Sequence, residues 1–207
     1  MREDANKQFW ERIAKGYTLF QEKGNKKFYD TLCDKIKPLL NEKQSVLELA
    51  CGTGQLTGLL ANTTKEWRAT DFSKKMVAEA EKRFKTQKVI YEVQDATHLA
   101  YEDHVFDVVL IANALHIMPK PDEALKEIKR VLKEDGLMIA PTFVHEGKVN
   151  KLRLGVMEKV GFRTFYQWTD EAYSAFVASQ GFEVMRHELI DGGLLPECIL
   201  VCRQKKK

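Results

Sequence analysis

Residues 48–55 read ELACGTGQ and join an apolar run, Ser45 to Ala50, to a segment with leucines at helical spacing. Glycines at a strand-to-helix turn let a ligand approach the backbone closely, and open α/β sheets bind ligands at such turns. A dinucleotide-binding loop of the G-x-G-x-x-G type would place a third glycine at position 57, where this chain has Thr57. The stretch therefore predicts a ligand-binding turn of an α/β sheet and disfavours a pyrophosphate ligand.

Outward from this turn, strand-like and helix-like segments alternate. We predict strands at 45–50, 67–70, 89–93, 106–112 and 137–144, followed by a strand pair at 182–189 and 197–202. Such alternation predicts an α/β fold: a Rossmann-like parallel sheet with helices on both faces, whose last strand is antiparallel. Pro121 is predicted to open a helix that Gly136 ends, and residues 5–40 are predicted to form two helices.

Composition narrows the class of protein. The 207 residues are 44% hydrophobic, which suits one globular domain, and the net charge is only +3. A protein that works on nucleic acid usually has a stronger basic excess. Four cysteines without C-x-x-C pairing, and no histidine at zinc-ligand spacing, favour reduced thiols, no metal site and a cytoplasmic protein. The first residues are too polar for a signal peptide, and no apolar run approaches the ~20 residues of a membrane span.

Polar residues follow the predicted strands at several points. Asp71 ends the second strand and can accept hydrogen bonds from both hydroxyls of a ribose, although it could instead serve as a charge at a helix N-terminus. Asp95 follows the third strand and could reach an adenine edge or be an ordinary turn aspartate. Asn113 and His116 follow the most hydrophobic strand. His116 is either a general base or a hydrogen-bonded loop residue.

Five motifs in register resemble the class I S-adenosylmethionine-dependent methyltransferases, and most closely the small-molecule methyltransferase type 11 group. The motifs are Glu48-x-Ala50-Cys51-Gly52-Thr53-Gly54, Ala69-Thr70-Asp71-Phe72-Ser73-x-x-Met76, Gln94-Asp95-Ala96, Phe106-Asp107-Val108-Val109 with Leu115-His116, and Arg130-Val131-Leu132-Lys133-x-x-Gly136. The resemblance covers about residues 45–143. It implies one domain over residues 1–207, with a helical cap at 1–40, a cofactor-binding core at 45–144 and a substrate-side segment with the terminal strands at 145–207.

The same resemblance implies S-adenosyl-L-methionine as the cofactor and S-adenosyl-L-homocysteine as its product. Ala50 to Gly54 would hold the methionine part with Glu48 near its ammonium, and Asp71 would bind the ribose. The cofactor-binding residues implied are Tyr17, Glu48, Ala50, Gly52, Thr53, Gly54, Gln55, Asp71, Phe72, Met76, Asp95, Ala96 and Asn113. Phe72 and Met76 would enclose the adenine, Asp95 and Ala96 would contact its edge, and Asn113 would lie beside the sulfonium. Simple core packing is the alternative for Phe72, Met76 and Tyr17.

The implied reaction is an in-line displacement at the sulfonium methyl by a small-molecule acceptor. Alignment of the two reactants can contribute roughly 7–11 kcal/mol. His116 and Tyr17 are the predicted catalytic residues, with His145 as a further candidate base. The Asn-Pro-Pro-Tyr turn of nucleic-acid base methyltransferases and the Arg-Asn pair of quinone-biosynthesis relatives are both absent after the fourth strand. Aromatic residues in 1–30 and 145–168 favour an apolar acceptor.

Three other functions stay open. A nicotinamide-dependent oxidoreductase has a similar sheet, but Thr57 disfavours it. A non-catalytic S-adenosylmethionine-binding module would share both glycines and Asp71. A protein or RNA methyltransferase would need an extended charged docking surface, which the near-balanced charge does not indicate.

Overall fold

The computed structural model describes residues 9–13, 26–145, 164–192 and 195–206. A helical stretch at 9–13 precedes the longer elements. The helices are α1 Lys26–Ile36, α2 Gln55–Leu60, α3 Lys74–Arg83, α4 Pro121–Val131 and α5 Asp170–Ser179. The strands are β1 Ser45–Leu49, β2 Glu66–Asp71, β3 Val89–Val93, β4 Phe106–Ile111, β5 Leu132–Phe143, β6 Phe182–Ile190 and β7 Glu197–Gln204.

The strands form one sheet in the order β3-β2-β1-β4-β5-β7-β6. Neighbouring strands from β3 through β5 are parallel, whereas β7 is antiparallel to both β5 and β6. The predicted fold class is therefore confirmed. The strand order reverses between β1 and β4, and open sheets of this kind bind ligands beside the carboxyl ends of the strands at that point.

Helices cover both faces of the sheet. Alternate residues of β4 face opposite ways, so Val108 and Leu110 pack in one hydrophobic cluster and Val109 and Ile111 in the other. The first cluster includes side chains of α1, α2 and α3, and the second includes those of α4 and α5. A strand buried on both faces needs apolar residues throughout. This explains why 106–112 is the most hydrophobic stretch of the predicted sheet.

The boundary between α4 and β5 differs from the prediction. The helix ends at Val131, and Leu132 already pairs with Phe106 in the sheet. The pairing then moves to Val108 with Leu137, so Gly136 lies within an irregularity of β5 and does not end the helix. A Cβ on Gly136 would lie 2.8 Å from the Leu132 side chain. This glycine therefore allows close packing of the strand rather than termination of the helix.

Hydroxyl side chains cap the starts of two helices. The Ser73 hydroxyl accepts the backbone N–H of Met76 at 3.3 Å, which caps α3. Thr169 caps α5 in the same way through the N–H of Ala172. The division of the chain into one domain with three parts stays a prediction.

Candidate active site

A cleft lies at the carboxyl ends of β1, β2 and β4. Counted with the space that is open to solvent, its volume is about 670 Å³. Described residues that line the cleft are Trp10, Tyr29, Glu48, Ala50, Cys51, Gly52, Gln55, Leu56, Asp71, Phe72, Met76, Ala112, Asn113, Ala114 and Ile117. The cleft therefore occupies the position expected of a ligand site in this topology.

The glycine turn, Ala50–Gly54, has an unusual backbone. Ala50, Gly52 and Gly54 all have left-handed φ angles, of 53°, 56° and 80°. The turn is anchored because the Cys51 N–H donates to the Thr70 carbonyl at 2.9 Å. A left-handed Ala50 is strained, and such strain is characteristic of functional loops. Gly54 has a packing role as well, since a Cβ there would lie 3.0 Å from the Ala80 Cβ.

Asp71 joins the glycine turn to the start of α3. Its Oδ2 accepts the Gly52 N–H at 3.0 Å, and its Oδ1 accepts the Ser73 N–H at 2.9 Å. Burial raises the pKa of this carboxyl to about 6. Each carboxylate oxygen retains a second lone pair after these bonds. Asp71 can therefore hold the turn and still accept the two hydroxyls of a ribose, which fits an adenosyl ligand.

Glu48 is a second buried carboxyl in the cleft wall. Its Oε2 accepts the Thr57 hydroxyl at 2.5 Å and the Trp67 Nε1–H at 2.8 Å. Burial raises its pKa to about 7, although both hydrogen bonds oppose that shift. Thr57, which stands where the dinucleotide pattern has its third glycine, thus donates a hydrogen bond to Glu48 in the cleft wall. A cationic ligand group such as an ammonium would stabilise the charged form of Glu48.

Arg83, in the last turn of α3, binds the glycine turn, a role that no sequence pattern indicated. Its guanidinium donates to the Thr53 carbonyl at 2.6 Å and to the Gln55 Oε1 at 3.1 Å. The same group lies over the Phe84 ring, 4.7 Å from its centroid. A basic residue near the end of a helix was visible in the sequence, but its partners lie about 30 residues earlier. Arg83 therefore stabilises the conformation of the glycine turn from the α3 side.

Asn113 lines the cleft and contacts a buried acid from another strand. Its φ is 54°, and its Nδ2 donates to both carboxyl oxygens of Glu197 at 3.3 Å. Glu197, the first residue of β7, is fully buried, and burial raises its pKa to about 8. Sequence inspection did not identify Glu197, because 84 residues separate it from Asn113.

His116 lies beside Thr142 and Phe143 rather than in the described wall of the cleft. Its Nδ1 is 2.9 Å from the Thr142 Oγ1, and its ring meets Phe143 edge-on at 6.2 Å. Burial, and to a lesser degree the nearby His145, lowers the pKa of His116 to about 4. Burial also lowers the pKa of His145. Both imidazoles are thus neutral at neutral pH, and the catalytic role of His116 stays a prediction.

The structure brings together most of the predicted cofactor-binding residues. Those in the cleft wall are Glu48, Ala50, Gly52, Gln55, Asp71, Phe72, Met76 and Asn113. Thr53 and Gly54 belong to the same turn but face α3. Asp95 is exposed and its Oδ1 accepts the N–H and hydroxyl of Thr97, the geometry of a turn aspartate, while Ala96 packs in the core. Tyr17 lies outside the described residues.

The part of the chain that the structure describes contains no group of three or more His, Cys, Asp or Glu side chains that could hold a metal ion. None of the described helices is both long enough and apolar enough to cross a membrane.

The chain is similar to known proteins over part of its length. Residues 47–140 match the family model of the methyltransferase domain. A demethylmenaquinone methyltransferase of Lactobacillus johnsonii is 43% identical over 97 residues, which cover 44% of this chain and 40% of that protein. A protein of the same name from Chlamydia trachomatis is 33% identical over 145 residues, which cover 66% of this chain and 62% of that protein. The chain thus spans about 40% to 62% of the length of these relatives.

The fold is shared with solved structures. A SAM-dependent methyltransferase from Thermotoga maritima superposes with a TM-score of 0.74 at 22% identity, covering 96% of this chain and 99% of that one. The sheet and its cleft define a Rossmann-like α/β protein with a cleft at the switch point of the sheet. Residues 47–140 match a methyltransferase domain, which confirms the predicted resemblance to methyltransferases over this range.

Proposed function

We propose that this protein transfers the methyl group of S-adenosylmethionine to a small apolar acceptor. The observation that carries the proposal is the buried Asp71 beside the left-handed turn at Gly52, in a cleft at the switch point of the sheet. These groups suit a nucleoside with a free ribose diol, and the matched domain supplies the reaction class. The cofactor brings a methyl group that its positive sulfur already activates.

The chain's own residues then align the reactants and exclude water. Asp71 and the glycine turn would hold the nucleoside and the methionine part, while Phe72, Met76 and Ile117 give the cleft apolar walls. The acceptor atom must lie in line with the bond to the methyl group, and this alignment is the main contribution to rate. An acceptor that carries a proton needs a base, for which His116 is our first candidate and Tyr17 our second.

We infer the acceptor class from the aromatic residues Trp10, Tyr29 and Phe72, which line the cleft. Aromatic rings in a cleft wall suit a flat apolar molecule. The relatives above are named for demethylmenaquinone, so a demethylated quinone is the first acceptor to test, even though the Arg-Asn pair of quinone-biosynthesis relatives is absent here. The net charge of +3 does not favour a nucleic-acid acceptor. We also propose a cytoplasmic location, because Cys33, Cys51, Cys198 and Cys202 form no disulfide.

Calorimetric titration with S-adenosylhomocysteine and with NAD tests the proposal. We expect saturable binding of S-adenosylhomocysteine only, and a loss of at least about tenfold in Asp71→Ala, because two charge-assisted hydrogen bonds disappear. The exposed Asp135→Ala is the matched control and should bind like the wild type. Binding would justify a screen of acceptors with labelled methyl donor. A folded wild-type protein that binds neither compound, or binds NAD instead, would overturn the proposal, and binding without turnover on any acceptor would favour a binding module.

A further inference from the structure

The start of β7 lies at the same edge of the sheet as the ends of β4 and β5. This follows from its direction, since β7 is antiparallel to β5, with Glu197 opposite Phe143. Glu197 also pairs with Ile190 of β6, so its backbone lies between two strands, and its side chain is fully buried. The first residue of β7 thereby reaches the edge at which the parallel strands present ligand-binding loops.

Burial of the Glu197 carboxyl has an unfavourable free energy. Among the described residues no cation pairs with it, and its hydrogen-bond donor is the Asn113 Nδ2, 3.3 Å from each oxygen. A buried acid without a cationic partner lowers the free energy of unfolding, and an apolar residue at this position would be more stabilising. Burial favours the neutral form, whose carbonyl oxygen still accepts the Asn113 N–H. Such a group points to a role in the site rather than in stability.

Asn113 is held at both its backbone and its side chain. Its backbone N–H donates to the Pro141 carbonyl at 2.9 Å, and Glu197 accepts from its amide nitrogen. Because an amide is planar, fixing Nδ2 also fixes the direction of Oδ1. That Oδ1 is buried and has no hydrogen-bond partner among the described residues, although Asn113 lines the cleft. Buried acceptors without partners are rare in native structures, and a bound ligand is one explanation.

We propose that Glu197 is a positioning residue that orients the Asn113 amide, so that Oδ1 faces the positively charged sulfonium of the methyl donor. The inference rests on the proposed function. A partially negative oxygen in this place favours S-adenosylmethionine, whose sulfur is cationic, over S-adenosylhomocysteine, whose sulfur is neutral. Glu197 would thus contribute to the preference for substrate over product without touching either.

The test is the ratio of the two Kd values, measured by calorimetry in the wild type and in variants. In Asn113→Ala and Glu197→Leu we expect the preference for S-adenosylmethionine to fall about tenfold, while S-adenosylhomocysteine binds nearly as before. Glu197→Gln keeps a carbonyl acceptor for Nδ2 and should restore the wild-type ratio. The double variant should be no worse than Asn113→Ala, because the two residues act as a unit. The exposed Glu183→Gln is the matched control.

The outcomes separate this inference from the proposed function. An unchanged ratio in Asn113→Ala overturns the inference while binding itself upholds the function, and this variant decides the matter if Glu197→Leu proves unfolded. Equal loss of both ligands in Glu197→Leu, with no rescue by glutamine, would show a structural role only and also overturn it. Failure of the folded wild type to bind either ligand removes both proposals together.

Discussion

At the scale of single residues, two buried carboxyls line the cleft and a third contacts the cleft residue Asn113. Glu48, Asp71 and Glu197 all have pKa values raised by burial, and no salt bridge to them exists among the described residues. Hydrogen bonds rather than cations hold them in place. Carboxyls held in this way can bind ligand groups that carry hydrogen-bond donors or a positive charge. The ribose, ammonium and sulfonium of S-adenosylmethionine bring both.

His116→Ala tests the role of the buried imidazole. We expect unchanged affinity for S-adenosylhomocysteine, since His116 does not line the described wall of the cleft, and a lower kcat with the true acceptor. General bases typically contribute 10²–10⁴-fold, and the low pKa of His116 places the effect near the bottom of that range. The exposed His98→Ala should leave kcat unchanged. Wild-type turnover in His116→Ala would remove this residue from the catalytic set.

At the scale of elements, α2 and α3 pack closely at Gly58. A Cβ on this residue would lie 2.4 Å from two atoms of the Phe84 ring. The dinucleotide pattern puts its close-packing glycine at position 57, whereas here Thr57 binds Glu48 and the next residue allows the close approach. Within α2, residue 57 therefore binds Glu48, and residue 58 has the close-packing role that the dinucleotide pattern assigns to position 57.

Gly58→Ala should destabilise the protein because the new methyl group overlaps the Phe84 ring. We expect a loss of about 1–3 kcal/mol in the free energy of unfolding, measured by urea denaturation. Adding Phe84→Leu should recover part of the loss by relieving the overlap. Leu59→Ala, at an exposed neighbour, is the control and should have a small effect. If Gly58→Ala proved as stable as the wild type, the close packing of these helices would be wrong.

At the scale of the whole molecule, buried acids couple stability to pH. Glu197 has a folded-state pKa of about 8 against an ordinary 4.5, so folding favours its protonated form. Its contribution to stability is full below about pH 4.5 and is lost as pH rises through about 8. Glu48 acts in the same direction up to about pH 7. The apo protein should therefore lose stability from these groups between pH 5 and pH 8.

Glu197→Gln provides the measurement. We expect its free energy of unfolding to fall less than that of the wild type over this pH interval, because glutamine does not titrate. Each unit of pKa shift corresponds to about 1.4 kcal/mol, so the difference should be easily resolved. Glu183→Gln should follow the wild-type curve. Parallel curves for Glu197→Gln and the wild type would mean that this carboxyl is not buried as described.

Much of the fold and part of the site could be predicted from sequence. The alternation of strand-like and helix-like segments predicted the sheet. The polar residues Asp71 and Asn113 at the ends of strands predicted the position of the cleft. Both predictions were possible because they depend on local sequence patterns. Arg83 and Glu197 were missed because their partners are distant in sequence and only the folded sheet brings them together. The start of β5 was misplaced because pairing of Leu132 with Phe106 outweighed a local helix signal.

The reversed direction of β7 has a consequence for sequence variation. The residues proposed to bind the nucleoside come from 48–113, inside the matched domain, whereas Glu197 comes from beyond its last residue at 140. Two distant stretches of the sequence thus meet at one end of the sheet. If the proposed function holds, changes in the terminal hairpin would alter the transfer step while the proposed nucleoside-binding loops keep their sequence.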